Sequence, residues 1–395
     1  MIGLALTLTF SAYSQKVLFD NTKGESASNA DWVIDADVHD LYISNQGVVT
    51  ATGQQSDAQR YPTPDQSTVT STTAENYWTG GISAWGIECV KTGYSVESLP
   101  YNIAITYGNS GNPQDLSNYD VYIVDEPNIR FTASEKNAII NFVYNGGGLF
   151  MVSDHTGSDR NFDGWDSPAI WNDLMYSNSV HNNPFGFKLD SLDFSGSYSI
   201  TNISGDSVIN GPYGTATQVR WSDGTSMTLN TSANATVVGD VYKTGSGPTN
   251  VLTAHGYYGK GRFAVISDSS PTDDASGDTG DQLYNGWITD ASGNHRKLIM
   301  NATIWLMGGK VTGVLDPAED TQMSLYPNPV EGILKVKSPE LCTLEIFDLA
   351  GQKVLNTEVL PDDLKYINVN NLCIGMYTYK LTGERHSFTG KLVRK

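Results

Sequence analysis

Four apolar runs in this chain each end on an acid. Lys16-Val17-Leu18-Phe19 leads into Asp20, with Glu25 close behind. Val121-Tyr122-Ile123-Val124 leads into Asp125-Glu126, and Leu149-Phe150-Met151-Val152 into Ser153-Asp154-His155. Phe263-Ala264-Val265-Ile266 leads into Ser267-Asp268. If these runs are strands of one sheet, their ends bring hard oxygen donors and an imidazole together. That donor set suits a divalent cation and metal-assisted hydrolysis. Asp154, His155, Glu126 and Asp268 are then the expected catalytic groups, and Asp20 and Asp125 the expected grip on substrate. Strand ends facing solvent are often polar, but that habit predicts mixed polar residues rather than an acid at every end.

The loop after the third run is the densest in ligand types. It contains Asp159-x-Asn161-x-Asp163-Gly164, the front half of a calcium loop, in which alternate oxygens face one cation and Gly makes the turn. The expected ligands are Asp159, Asn161, Asp163 and Asp166, holding Ca2+ or another divalent cation. The twelfth position is Ile170, where a bidentate Glu belongs, so Asp166 or Asp173 has to complete the shell. An Asx-rich turn, its carboxylates capping their own backbone, accounts for the same residues. Asp273-Asp274-Ala275-Ser276-Gly277-Asp278 is a second acidic loop, expected beside the first. Trp165, inside the acidic loop, is the expected stacking contact for a sugar ring, whereas Trp85 and Trp171 read as core. Ser153, Asp154 and His155 cannot form a triad among themselves, because neighbouring side chains diverge. Ser153 or Ser269 with His155 or His255 stays open, with His255 more readily structural.

Continuous apolar runs suit buried parallel strands covered on both faces. Helices are expected between them. Tyr77–Thr92 places Trp78, Ile82, Trp85 and Cys89 at helical spacing. Thr132–Tyr144 opens on a capping signal, Thr132 with Glu135 three residues on, and stops at Asn145-Gly146-Gly147-Gly148. His295–Met307 is the last. The expected fold class is α/β, a doubly wound and mostly parallel sheet. Residues 184–250, rich in Ser, Thr, Asn and Gly, read as a β-rich insertion. The net charge of −19 argues against a nucleic-acid partner. Three cysteines give no disulfide framework; Cys89 reads as a buried thiol, and pairing of Cys342 with Cys373 is undecided.

The segments 120–124, 131–136 and 142–152, with Gly259-Lys260-Gly261-Arg262-Phe263-Ala264-Val265-Ile266-Ser267-Asp268, resemble the class I glutamine amidotransferase-like fold, closest to its divergent GIFT-type branch. Enzymes of that fold need a nucleophilic Cys on a strand-to-helix elbow. Here Ser153-Asp154-His155 follows the third strand, so the resemblance implies fold and not glutamine hydrolysis.

The tail resembles the C-terminal sorting domain of type IX secretion cargo. It carries Ser324-Leu325-Tyr326-Pro327-Asn328-Pro329, then alternating runs at 332–336, 344–354 and 375–381, and closes on Gly390-Lys391-Leu392-Val393-Arg394-Lys395. Alternation alone predicts a small antiparallel β-sandwich there. Residues 1–15 read as a signal peptide whose apolar run is too short to span a bilayer, and whose missing leading charge suggests an upstream start. The expected organisation is 1–15 signal peptide, 16–309 α/β domain, 310–322 linker and 323–395 sorting domain. The resemblance implies the type IX machinery as partner and a place outside the cell. Two functions fit: a metal-assisted extracellular hydrolase acting on a polysaccharide or other polymer, with a glycan as ligand, or a non-catalytic binding or structural module stiffened by calcium.

Overall fold

The computed structural model describes residues 15–27, 30–35, 41–43, 49–51, 65–101, 103–201, 205–277, 283–291, 293–308, 324–326, 328–338, 341–360, 364–383 and 387–395. The expected signal peptide falls outside them except for Gln15, and so does the whole expected linker. The chain divides into two compact units, Met1–Asp316 and Pro317–Lys395.

The first unit is built on a nine-stranded sheet. Its strands in chain order are β1 (Lys16–Asp20), β2 (Ser95–Leu99), β3 (Val121–Asp125), β4 (Gly148–Val152) and β5 (Phe187–Leu189). They continue with β6 (Met227–Leu229), β7 (Val238–Tyr242), β8 (Val251–Tyr258) and β9 (Gly261–Ile266). The spatial order is β2-β1-β3-β4-β9-β8-β6-β5, with β7 also paired to β8. From β2 to β9 all neighbours are parallel. From β9 onward they are antiparallel. The sheet is therefore mixed, not mostly parallel. Within the expected insertion, β5, β6 and β7 extend the main sheet through β8. Apolar periodicity shows which residues are buried but not which way the neighbouring strand runs.

Helices cover both faces. They are α1 (Ser83–Lys91), α2 (Ala133–Tyr144), α3 (Ser167–Tyr176) and α4 (Asn294–Leu306). Alternate strand residues point to opposite sides. Val17, Phe19, Ile123, Phe150 and Val152 pack against α1 and α4, while Leu18, Tyr122, Val124, Leu149 and Met151 pack against α2 and α3. Trp85 centres the first layer, its ring edge-on to Phe19 and Phe150, and its indole N–H donates to Thr303 Oγ1 at 3.1 Å. α1 starts later than its apolar spacing predicts. Gly80 and Gly81 lie against the backbone of Asp31 and Val33, where a Cβ has no room. The Gly81 and Ile82 amides bond to those same two residues rather than opening a helix. α3 is capped by Asp166, with Pro168 in its first turn.

In the second unit seven strands form two antiparallel sheets. β10 (Ser324–Tyr326), β11 (Ile333–Lys337) and β14 (Leu364–Asn368) make one. β12 (Cys342–Phe347), β13 (Lys353–Val359), β15 (Gly375–Gly383) and β16 (Ser387–Arg394) make the other. Leu334, Val336 and Ile367 meet Leu344, Ile346, Leu381 and Leu392 in a common core. Cys342 is buried, Cys373 is exposed, and neither is in a disulfide.

The Thr132 cap is complete: its hydroxyl accepts from Glu135 N at 3.3 Å, and Glu135 Oε2 accepts from Thr132 N at 2.7 Å. Thr132→Ala is expected to cost about 1 kcal/mol, read as a lower urea midpoint with unchanged slope.

Candidate functional site

Four adjacent parallel strands, β1, β3, β4 and β9, deliver their C-terminal ends to one rim of the sheet. Asp20 closes β1 and Asp125 closes β3; Asp154 and Asp268 follow two residues after β4 and β9. The rim is where ligands bind in open α/β sheets. Asp20, Asp125, Glu126, Asp154 and Asp268 are each at most 3% exposed. The sequence therefore brings the expected acids together, but under the surface rather than on it.

Arg160 organises them. Its Nη2 lies 3.0 Å from Glu126 Oε1 and 2.8 Å from Asp154 Oδ2, and its Nε donates to Glu126 Oε1 at 3.1 Å. Glu126 Oε2 accepts from Trp32 Nε1 at 2.9 Å and Ser269 Oγ at 2.8 Å. Glu126 sits at φ +44°, a left-handed conformation rare for a side chain of this kind. That turn, held by Glu126 N donating to Val152 O, directs the carboxylate back under the rim. Asn128 ties the neighbouring loops: its Nδ2 donates to the carbonyls of Gly24, Ser26 and Glu126. Its Oδ1 accepts from Arg160 N at 3.3 Å.

The proton inventory follows from burial. Desolvation, then the nearby Glu126 and Asp268 charges, push Asp154 well above the usual carboxylate range, although Arg160 opposes them. Desolvation pushes Asp268 up to about 7, against the backbone N–H groups of Ser222 and Ser270 that its carboxyl accepts. Burial also raises Asp125, whose Oδ2 accepts from Thr272 and whose Oδ1 has no donor. Asp20 is raised by burial and lies against Glu25, which is raised further.

His155 stands at the mouth, its side chain 19% exposed. Its Nδ1 donates to Thr156 O at 2.8 Å, which leaves Nε2 facing Asp154 Oδ2 at 3.6 Å. Asp193 Oδ2 lies 3.7 Å from Nδ1. Ser153 is buried and its hydroxyl turns to Asp154 O, while Ser269 is engaged with Glu126. His255 is on β8, bonded to Asp240 and away from this rim.

The acidic loop closes on itself. Asp159 accepts from the amides of Asp163 and Gly164, and Asp163 accepts from that of Trp165. Asn161 Oδ1 also accepts from Asp163 N, and its Nδ2 donates to Asp163 Oδ2. Asp166 caps α3 through Ala169 N and takes Thr156 Oγ1 and Gly157 N on its other oxygen. These bonds give the loop its shape, and Asp274 of the second acidic loop is bonded elsewhere. It accepts from Ser83 Oγ and Ala84 N at the start of α1. Trp165 carries Arg130 over its ring at 3.7 Å, so a guanidinium covers the face expected to meet a sugar. Trp78, Trp85, Trp171 and Trp287 are fully buried.

Arg160, Asn128 and Trp32 are the site residues that sequence reasoning passed over. A lone Arg inside an acidic loop was the available signal for Arg160. Nothing local marked Trp32, which reaches Glu126 from a distant turn.

Residues 324–395 match the family model described as a secretion system C-terminal sorting domain. This tail marks the chain as type IX secretion cargo, exported to the cell surface or the extracellular space. No helix among the described residues is long and apolar enough to cross a membrane. No curated protein matches the chain. Among solved structures, it is similar to the mmIFT52 N-terminal domain at 12% identity and TM-score 0.40, covering 75% of this chain and 99% of that one. It is also similar to a cytoplasmic protein from Salmonella typhimurium at 13% and 0.40, covering 74% and 98%. A putative ThuA-like protein from Parabacteroides merdae matches at 12% and 0.35, covering 76% and 92%. Likeness at this level carries no conclusion about activity.

Asp268 holds its proton up to about pH 7 when folded, against an ordinary value of 3.8. The folded chain thus binds more protons than the unfolded one between those values. The resulting stabilisation is full below the lower value and lost as pH rises through the upper. Glu75, raised to about 7 chiefly by burial, and Asp274, raised to about 6, act in the same sense. The thermal midpoint is expected to be lower at pH 8 than at pH 6. Asp268→Asn, which keeps only one of the two side-chain oxygens that accept from the Ser222 and Ser270 amides, should lower both values and shrink the gap between them.

Proposed function

We propose that this exported chain is a hydrolase of an extracellular polymer that works by general acid–base catalysis at the rim of an amidotransferase-like sheet. The observation that carries this is the oriented His155. Thr156 O fixes its tautomer, its Nε2 faces a buried carboxyl, and its ring reaches the surface. In this scheme His155 takes a proton from an attacking water, and the protonated Asp154–Asp268 neighbourhood returns one to the leaving group. Water is the nucleophile because Ser153 and Ser269 are engaged elsewhere. Arg160 brings to Glu126 and Asp154 the positive charge that a divalent cation would otherwise supply, so the scheme needs no metal at these carboxylates.

A second reading, an exported binding module, has its own observation. A groove of about 720 Å³ runs beside edge strand β5, lined by Tyr176, Lys188, Asp190, Thr228 and Asn230. Its volume suits a small ligand, and the Tyr176 ring with surrounding polar groups suits a sugar.

Mature protein assayed on glycans, peptides and esters separates the two. The hydrolase reading expects activity that survives EDTA and falls about 100-fold or more in His155→Asn. Activity abolished by EDTA, or untouched in His155→Asn, would sink the acid–base scheme. Glycan binding without turnover, weakened by Tyr176→Ala, would establish the module instead.

A further inference from the structure

A second polar cluster lies away from the rim, where β7 and β8 meet the face covered by α4. Among the described residues, Asp206, Asp240 and His255 present one ligand atom each, all within 4.8 Å of one another. His255 comes from β8. Its ring stands edge-on to Trp305 of α4 at 4.7 Å, which fixes its direction. Asp240 comes from β7 at an irregularity in the ladder. Gly239 pairs with Ala254 and Val241 with Thr253, so Asp240 is an extra residue without a partner in the ladder. Asp206 arrives from the loop ahead of Asn210–Gly211.

The bonding is incomplete in an informative way. His255 Nδ1 lies 2.6 Å from Asp240 Oδ1. Asp206 Oδ1 accepts from the amides of Val208 and Ile209 at 2.8 and 3.3 Å. Its Oδ2 is buried with no donor, in a residue only 8% exposed. Asp240 is 3% exposed. Thr253, two residues before His255 and so on the same side of β8, also buries a hydroxyl without a partner. Two carboxyls thus lie under the surface within reach of a single imidazole, with an unused oxygen left over. Such a set is costly without a cation.

We propose that Asp206, Asp240 and His255 form a binding site for one divalent transition-metal ion, with zinc as the best match. The donors are mixed nitrogen and oxygen, and the two carboxylates balance the charge of the ion. Imidazole selects zinc and its neighbours over calcium or magnesium. Zinc takes His nitrogen and carboxylate oxygen at about 2.0–2.2 Å, with a fourth place for water in an open site. On binding, the ion replaces the proton that His255 and Asp240 share, and that proton leaves to solvent. The site is separate from the strand-end rim and stands whether or not the rim is catalytic.

The test uses the tag-free mature chain, stripped with EDTA and titrated with ZnCl2. The expected result is one zinc retained per chain after gel filtration, measured by elemental analysis, with a rise in thermal midpoint. Both should be lost in Asp206→Asn and in His255→Gln. Should either variant fail to fold, the X-ray absorption spectrum of zinc-loaded wild type decides alone: one imidazole with oxygen ligands supports the site. A spectrum showing sulfur or several imidazoles, zinc retained equally by the variants, or no retention and no shift in the wild type would each overturn it. The last outcome would mean that the three groups share protons instead.

Discussion

Burying acids at the ends of parallel strands is costly, and the Arg160 guanidinium is what makes it tolerable here. It joins Glu126 at the end of β3 to Asp154 at the end of β4, and so ties together two buried carboxyls carried by neighbouring strand ends. Lys23 does a related job beside β1, paired to Glu135 at 2.8 Å and so linking that loop to the cap of α2. Burial raises the proton affinity of the others, as at Asp268 and Asp125. An ion pair of this kind gains little over apolar packing, but loss of one member leaves the other charge stranded. The loops around the rim, the strained turn at Glu126 and the Asn128 ties are all arranged about that guanidinium.

Much of this was written locally in the sequence. Val121–Asp125 and Gly148–Val152 announce themselves as uninterrupted apolar runs, and Thr132 with Glu135 announces α2. The tail is equally plain, because β12 alternates buried and half-buried residues along its whole length. What was not legible depends on distant partners. β2, with Ser95 and Glu97 in it, has no continuous apolar run to mark it and is a strand through its pairing with β1. α3 was hidden because Asp166, its cap, sits in a loop that also resembles a calcium motif. The same carboxylate spacing serves an ion or a backbone turn.

The site shows the same division. That acids would gather at the strand ends followed from topology alone. That they would be buried, and that Trp32, Ser269 and Arg160 would saturate Glu126, depended on side chains far apart in sequence. Trp165 is instructive: an exposed-looking aromatic in a polar loop turned out to be covered by Arg130, a residue with no local reason to be near it. His255 reads as structural because it precedes the last expected strand, and its acidic partners come from other segments.

The ladder between β7 and β8 carries a constraint of its own. Asp240 is an extra residue on β7, and Leu252 is then an extra residue on β8, since Val241 pairs with Thr253 and Tyr242 with Val251. The two irregularities cancel, so pairing beyond them runs as if neither existed. Deleting one residue from either strand alone would shift the remaining ladder by a step and turn its side chains to the opposite face. Changes of length in these strands are therefore tolerable only in matched pairs, one on each side. The spacing of 239–242 and 251–254 is bound together as tightly as any two contacting side chains.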